Sequence, residues 1–161
     1  MKPNIHFLFS HPAHFIALGY GAGLAPKAPG TFGTLAALPL FWLLLQASPS
    51  PIFLLIVTAG AFLLGIWACA VTGKHLGVAD HGSMVWDEIV AMWLVLVFTP
   101  YSAIWWLAAF GLFRFFDILK PWPIRWFDKR LKNGFGVMFD DVLAAIYALL
   151  VIKGAMVWPG Q

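Results

Sequence analysis

The chain alternates between long apolar runs and short polar breaks, a pattern that is typical of membrane-spanning helices. The clearest run, 52–72, contains 21 residues without a charge, and as a helix it would be about 31 Å long, which matches the hydrocarbon core of a bilayer. The Ser-Pro-Ser-Pro sequence at 48–51 predicts a turn before it, because proline ends one helix and can begin the next. Apolar runs at 35–47 and 142–158 predict further helices on either side.

The uncharged stretch 89–113 is compatible either with one tilted span or with two helices that turn at 99–102. The basic residues favour two helices. With a hairpin, nine of the ten Lys and Arg residues lie on one side, and only Lys153 lies on the other, whereas a single span separates the three N-terminal lysines from the six basic residues of 114–132. Because basic residues are retained on the cytoplasmic side of a membrane, that side is expected to be cytoplasmic.

These patterns together predict an all-α fold, a polytopic membrane helical bundle of about five helices in one domain spanning 1–161. The segment 13–31 is rich in Gly and Pro and predicts a broken or re-entrant element, which is tolerated at membrane depth only where protein or a polar cavity satisfies its backbone. The five helices are expected near 32–47, 52–73, 85–99, 102–117 and 141–158.

Composition supports the membrane class and excludes several others. Hydrophobic residues make up 61% of the chain and charged residues 11%, against about 45–50% and about 25% in soluble domains. Intrinsic disorder, a coiled coil and a soluble α/β enzyme are therefore excluded. The net charge of +3 fits contacts with anionic headgroups, so no nucleic-acid partner is expected. The single cysteine, Cys69, excludes an internal disulfide.

All seven acidic residues fall in one part of the chain, and on the hairpin topology they lie on the cytoplasmic side, most of them at the ends of helices. Carboxylates at membrane depth are costly, so such a cluster is by default a functional-site hypothesis. Several hard oxygen ligands beside Lys and Arg favour a magnesium ion that also binds a phosphate. The seven are Asp80, Asp87, Glu88, Asp117, Asp128, Asp140 and Asp141.

Parts of this cluster also have a structural interpretation. Asp140 and Asp141 are compatible with N-terminal helix charges that the helix dipole stabilises. Asp128 is typical of a solvated loop, and Arg114 and Asp117, three residues apart on one helical face, are compatible with a structural ion pair. No single structural interpretation places every acid on one side.

Spacing excludes several known phosphate chemistries. A cysteine phosphatase needs an arginine six residues after its nucleophile, but His75 stands at that distance from Cys69. No two acids are separated by a single residue, which excludes an Asp-x-Asp aspartyl-phosphate loop, and Lys74 lacks the flanking residues of a P-loop. These absences favour attack by metal-activated water, and they leave direct attack by an aspartate open.

Four blocks of sequence resemble one known family. They are Gly21-Ala-Gly-Leu-Ala-Pro26 with Pro29-Gly-Thr-Phe-Gly33; Asp80-His-Gly-Ser-Met-Val-Trp-Asp-Glu88; Phe113-Arg-Phe-Phe-Asp117 with Lys120-Pro-Trp-Pro-Ile-Arg125 and Asp128; and Gly134-Phe-Gly-Val-Met-Phe-Asp-Asp141. In this order, and over most of the chain, they are similar to the phosphatidylglycerophosphatase A family of bacterial inner-membrane enzymes. The resemblance implies Mg²⁺-dependent conversion of phosphatidylglycerophosphate to phosphatidylglycerol and phosphate, a step of glycerophospholipid biosynthesis.

The acidic cluster and the resemblance together lead to a hypothesis with named roles. The chain would be a multi-pass phospholipid phosphomonoesterase of the inner membrane whose active site faces the cytoplasm and whose partner is a phospholipid. Catalysis is assigned to Asp87, Glu88, Asp117, Asp140 and Asp141, phosphate binding to Thr31, Arg114, Lys120 and Arg125, and Mg²⁺ ligation to Asp80, Asp87, Glu88, Asp117 and Asp141.

A small ion-coupled transporter or channel component is the alternative hypothesis. It predicts charges in both halves of the membrane, along a path for the ion. The runs 52–72 and 89–113 contain none, and only Lys153 approaches the far side. The distribution of charges therefore favours the phosphatase.

Overall fold

A computed structural model describes residues 2–157, which form nine helical elements and no strand. Five of the nine match the predicted helices. The prediction of about five helices is wrong in its count, because the other four elements are five to seven residues long and too short to carry a helical period. The elements are α1 Ile5–Phe9, α2 Pro12–Ala17, a 3₁₀ helix Gly19–Leu24, α3 Pro29–Ala47, α4 Pro51–Leu76, α5 Trp86–Val97, α6 Ala103–Leu119, α7 Ile124–Arg130 and α8 Gly134–Val157.

The predicted breaks in the chain are present. Two separate helices, α5 and α6, flank 98–102, so the two-helix interpretation of 89–113 is confirmed. The segment 13–31 is broken, since α2 and the 3₁₀ helix precede the start of α3. Tyr20 and Gly21 adopt positive φ angles of 59° and 107° inside the 3₁₀ helix, which interrupts its helical path. Part of this segment thus folds as short helices, as expected for a broken element.

Three helices are long and apolar enough to cross a membrane by length and composition: α3, α4 and α8. In contrast, α5 has only 12 residues, a length of about 18 Å, which is less than the hydrocarbon core of a bilayer. Ten of those 12 residues are buried. The predicted third helix is therefore a central helix enclosed by protein.

The surrounding helices hold α5 through packing and through two indole hydrogen bonds. Contacts with α3, α4 and α8 enclose it. The Nε1–H of Trp86 donates to the carbonyl oxygen of Ala61 at 2.9 Å, and that of Trp93 donates to the carbonyl oxygen of Ala37 at 3.1 Å. Both indoles thus satisfy backbone carbonyls of the long helices, and α5 is fixed against α3 and α4.

The start of α8 differs from the prediction. The helix begins at Gly134 rather than near 141, and the last residue predicted for it, Trp158, lies outside the described residues. The backbone of α4 passes so close to Gly134 that an added Cβ would lie 2.8 Å from the backbone nitrogen of Ala70. The glycine therefore permits α8 to extend a further two turns along α4.

Candidate active site

Four helices meet around a polar cavity of about 380 Å³. The first turn of α5 supplies Asp87 and Glu88, and the last two turns of α6 supply Arg114 and Asp117. The second turn of α8 and the first turn of α3 close the cavity, together with the loop 77–85. Its lining consists of Ala28, Pro29, Gly30, Asp80, Gly82, Met84, Asp87, Glu88, Arg114, Asp117, Ile118, Lys120, Asp140 and Asp141.

Three carboxylates at the inner end of this cavity form a group that fits a metal ion. One oxygen atom each from Asp87, Glu88 and Asp141 lies within 4.8 Å of the other two. Asp87 Oδ1, Glu88 Oε2 and Asp141 Oδ2 are also buried, and none of them has a hydrogen-bond partner among the described residues. Buried carboxylates without partners are costly. Such oxygen atoms are suitable ligands for a hard divalent cation.

Arg114 lies between two carboxylates of the cavity. Its Nη1 forms an ion pair with Asp117 and lies 3.7 Å from Glu88 Oε1. The Oγ1 of Thr34 accepts a hydrogen bond from the same nitrogen at 3.5 Å and donates one to the carbonyl oxygen of Gly30 at 2.9 Å. The predicted pair of Arg114 and Asp117 is thus present, and it lines the cavity rather than the lipid face.

Lys120 joins two further acids at the edge of the cavity. Its ammonium group donates to Asp140 Oδ2 at 2.5 Å and to Asp128 Oδ1 at 2.9 Å. Burial by itself would lower the pKa of Lys120, but the two carboxylates raise this pKa above its usual value, so the ammonium group stays charged. Burial tends to raise the pKa of Asp128, and the hydrogen bond from Lys120 brings it below its usual value.

Two structural interpretations of the acids are wrong. Asp128 is not a solvated loop charge, since it belongs to α7 and pairs with Lys120. Asp140 and Asp141 are not N-terminal charges of α8, because they are its seventh and eighth residues and are buried. The error for Asp128 comes from α7, a helix of seven residues that was not predicted and that packs against α8. The error for Asp140 and Asp141 comes from the start of α8, which the sequence pattern placed too late.

The structure brings most of the predicted site residues together. Asp87, Glu88 and Asp141, all predicted as metal ligands, form the metal-fitting group. Asp80 and Asp117, also predicted as ligands, line the cavity outside that group. Two of the predicted phosphate-binding residues do not line the cavity: Thr31 is half-buried on α3, and Arg125 is exposed on α7.

Two further residues shape the site and were not predicted. A Cβ at Gly30 would collide with Glu88 Oε1 and would lie 3.2–3.3 Å from the terminal nitrogens of Arg114. Thr34 is fully buried and orients Arg114. Gly30 stands in the Pro-Gly-Thr-Phe-Gly block, which was a signal for it. Thr34 follows it by one helical turn, and only the packing of α3 against α6 reveals its role.

Comparisons with known proteins agree on one family. The family model for phosphatidylglycerophosphatase A matches residues 15–156. A phosphatidylglycerophosphatase A from Haemophilus influenzae is 54% identical over 149 residues, which cover 92% of this chain and 91% of the relative. One from Escherichia coli is 46% identical over 138 residues, 85% of this chain and 79% of the relative.

A third relative carries a different name. A putative phosphatidylinositol-3-phosphatase from Bacteroides thetaiotaomicron is 40% identical over 147 residues, which cover 87% of this chain and 91% of the relative. No solved structure matches the chain.

Proposed function

Because the chain belongs to the phosphatidylglycerophosphatase A family and is therefore a lipid phosphatase, we propose that it hydrolyses phosphatidylglycerophosphate to phosphatidylglycerol and phosphate with Mg²⁺. The observation that carries the proposal is the composition of one cavity. It holds a metal-fitting group of three carboxylates and, beside it, the cations of Arg114 and Lys120. A dianionic phosphate and a divalent cation fit such an arrangement of opposite charges.

The proposed metal ligands are Asp87, Glu88 and Asp141, whose facing oxygens are described above. When bound there, Mg²⁺ would neutralise charge on the phosphate and lower the pKa of a bound water. Uncatalysed phosphate-monoester hydrolysis is so slow that enzymes accelerate it by up to ~10²¹-fold. Fixed charges placed around the phosphate are the main means of such acceleration.

The two cations would hold the phosphate oxygens. Arg114 is oriented by Asp117 and Thr34, so its guanidinium group is fixed before the substrate arrives. Lys120 is oriented by Asp140 and Asp128. Preorganised donors stabilise the charge of the transition state without a cost of reorientation at the moment of reaction.

The acids divide into two proposed roles according to their partners. Asp117 and Asp140 are ion-paired, so we assign them to position Arg114 and Lys120. Glu88 has one oxygen near Arg114 and a second oxygen without a partner among the described residues. Since Oε2 is assigned to the metal-fitting group, we assign the other oxygen of Glu88, Oε1, as the atom that accepts the proton of the attacking water.

The cavity is proposed to open at the cytoplasmic leaflet of the bacterial inner membrane. Nine of the ten basic residues lie on the side of the cavity in the hairpin topology. The positive-inside rule makes that side cytoplasmic.

Phosphate release from the purified protein tests this function. We expect release from phosphatidylglycerophosphate with Mg²⁺, its loss on chelation with EDTA, and its recovery when Mg²⁺ is added back. Equal release with and without the chelator would contradict the metal. No release in any condition, together with ion flux in vesicles, would favour the transporter hypothesis instead.

A further inference from the structure

The lining of the polar cavity is not charged throughout. Its charged members include Asp80 and Lys120, whereas Ala28, Pro29 and Ile118, here called the apolar rim, come from the start of α3 and the end of α6. Ile118 lines the cavity and yet exposes 71% of its surface. The apolar rim therefore opens directly to the surroundings of the protein.

An exposed apolar stripe continues from this rim along α6. Ile118, Phe115 and Leu107 are 71%, 56% and 67% exposed. Their spacing places them within about 80° of one another on one face of the helix, since each residue turns it by about 100°. Gly111 lies between them on the same face, and a Cβ there would meet nothing within 4 Å. The stripe is thus open, apolar and about 16 Å long at 1.5 Å per residue.

On α3, the other helix of the apolar rim, the first two turns also carry exposed apolar side chains. Phe32 and Leu35 are about half exposed. Arg114 reaches Thr34 between the two helices, so the start of α3 and the end of α6 lie side by side at the mouth. An amphiphile whose phosphate lies in the cavity would meet apolar surface on both helices as it leaves the mouth.

The other large apolar groove of the described residues is not continuous with the cavity. It has a volume of about 470 Å³ and lies between α4, α5 and α8, where Phe62, Leu94 and Phe139 line it. None of its lining residues also lines the polar cavity. Ile118, by contrast, belongs both to the cavity and to an exposed apolar stripe.

We propose that the acyl chains of the phospholipid substrate lie along the stripe formed by Ile118, Phe115, Gly111 and Leu107, so that the lipid enters the cavity sideways between α3 and α6. This inference rests on the proposed function and adds the direction from which the substrate arrives. The phosphate stays in the cavity beside Arg114 and Lys120, and only the headgroup of the lipid leaves the bilayer. The stripe then determines affinity for the diacyl substrate and takes no part in the chemistry.

A matched pair of substitutions tests the stripe. Ile118→Gln changes the mouth, and Ile52→Gln changes an equally exposed isoleucine at the far end of α4, since both positions are 71% exposed. Each variant is assayed on diacyl phosphatidylglycerophosphate in mixed micelles and on its water-soluble deacylated headgroup. We expect Ile118→Gln to raise KM for the diacyl substrate about tenfold and to leave its kcat within about twofold of wild type. The kcat/KM for the deacylated substrate should also stay within about twofold.

The control Ile52→Gln should leave the kinetic constants for both substrates unchanged, and Ile118→Leu should have the wild-type KM. An equal loss on both substrates in Ile118→Gln, or no change on either, would overturn the inference. If Ile118→Gln does not fold, Ile118→Ala shortens the same side chain and is held to the same two outcomes.

Crosslinking gives a reading that does not depend on activity. A photo-reactive benzoylphenylalanine replaces Ile118 in one protein and Ile52 in another, in micelles that contain phosphatidylglycerophosphate. At position 118 we expect crosslinks to phosphatidylglycerophosphate that saturate as its concentration rises and that phosphatidylcholine with the same acyl chains does not reduce. At position 52 we expect crosslinks that do not saturate. Unsaturable labelling at both positions would overturn the inference. Saturable crosslinks at position 118, together with no phosphate release by the wild-type protein, would contradict the proposed function alone.

Discussion

At the scale of single residues, the hydrogen atom in place of a side chain at Gly30 keeps the cavity open. A methyl group there would displace Glu88 and crowd Arg114. We expect Gly30→Ala to lower kcat/KM for phosphate release by at least about a hundredfold, or about 2.7 kcal/mol in the barrier. Phosphate release and a thermal unfolding scan of the same sample measure the two effects separately.

Gly60 supplies the matched control for this change. It lies inside α4, and an added Cβ would meet nothing within 4 Å. Gly60→Ala should keep full activity, and should stabilise the helix by about 0.5–1 kcal/mol because alanine loses less backbone entropy. Equal activity in Gly30→Ala and Gly60→Ala would remove Gly30 from the site.

The carboxylates of the cavity differ in the role that a substitution of Asp by Asn would remove. Asp87→Asn removes a proposed metal ligand, and Asp117→Asn removes the partner that orients Arg114. Both should nearly abolish phosphate release while the protein still purifies folded. Excess Mg²⁺ should partly restore Asp87→Asn, because an amide oxygen is a weaker ligand, and should not restore Asp117→Asn. A Mg²⁺ titration of each variant measures the difference.

Asp128→Asn provides a graded comparison for these two variants. It leaves Lys120 bound to Asp140, the closer of its two partners. We expect kcat/KM to fall by about one order of magnitude, or about 1.4 kcal/mol in the barrier. The fall should come from a higher KM. A loss as large as that of Asp117→Asn would mean that Asp128 contacts the substrate.

At the scale of elements, the indole of Trp86 ties the short helix α5 to α4. Its Nε1–H donates to the carbonyl oxygen of Ala61, and the side chain is almost fully buried. Trp86→Phe should lower the free energy of unfolding by about 0.6–1.7 kcal/mol for the lost interhelical hydrogen bond, with a further loss from the smaller ring. Unfolding in detergent measures it. Trp67→Phe, at an exposed position of α4, should cause a smaller loss.

The contact between α2 and α4 depends on a pair of histidines. His14 Nε2 lies 2.7 Å from His75 Nδ1, and His14 Nδ1 lies 3.0 Å from the carbonyl oxygen of Phe7. That carbonyl only accepts, so Nδ1 of His14 carries the proton in the neutral ring. Burial lowers the pKa of His14, and His75 adds to this, although the hydrogen bond to Phe7 opposes it.

This lowered pKa predicts how stability depends on pH. The folded state favours the neutral ring, so its contribution is complete above the pKa of an unfolded histidine, about 6.5. It is lost as the pH falls below that value towards the lower folded pKa. The melting temperature should therefore fall between pH 7.5 and 5.5, and His14→Gln should flatten this slope. His6→Gln, at an exposed position of α1, should keep the wild-type slope.

At the scale of the whole molecule, the proposed opening of the cavity on the cytoplasmic side predicts where two connecting segments lie. Ser50, between α3 and α4, should lie at the periplasmic surface, and Lys129, on α7, at the cytoplasmic surface. The native Cys69 is fully buried, so we expect it to contribute little labelling by a thiol reagent. We expect a membrane-impermeant maleimide to label Ser50→Cys only in right-side-out vesicles and Lys129→Cys only in inside-out vesicles. Labelling of both in one orientation would contradict the topology.

The sequence by itself determined the class of the protein, its long helices and a set of candidate site residues. An apolar run such as 52–72 carries its own helix signal, because length and hydropathy are local properties of the chain. The seven acids were visible as one cluster for a similar reason, since charge is rare in an apolar chain. Asp87, Glu88 and Asp141 were assigned from this cluster together with the family resemblance.

Tertiary structure decided which of these groups meet. That Asp128 reaches Lys120, and Lys120 reaches Asp140, depends on the placement of α7 and α8, and the close packing of Gly134 against α4 permits α8 to begin where it does. The enclosure of α5 and the role of Thr34 depend on neighbours more than 50 residues away. Such contacts arise from the fit of helix surfaces in three dimensions. A pattern along the sequence does not give the distance between residues that are far apart in the chain.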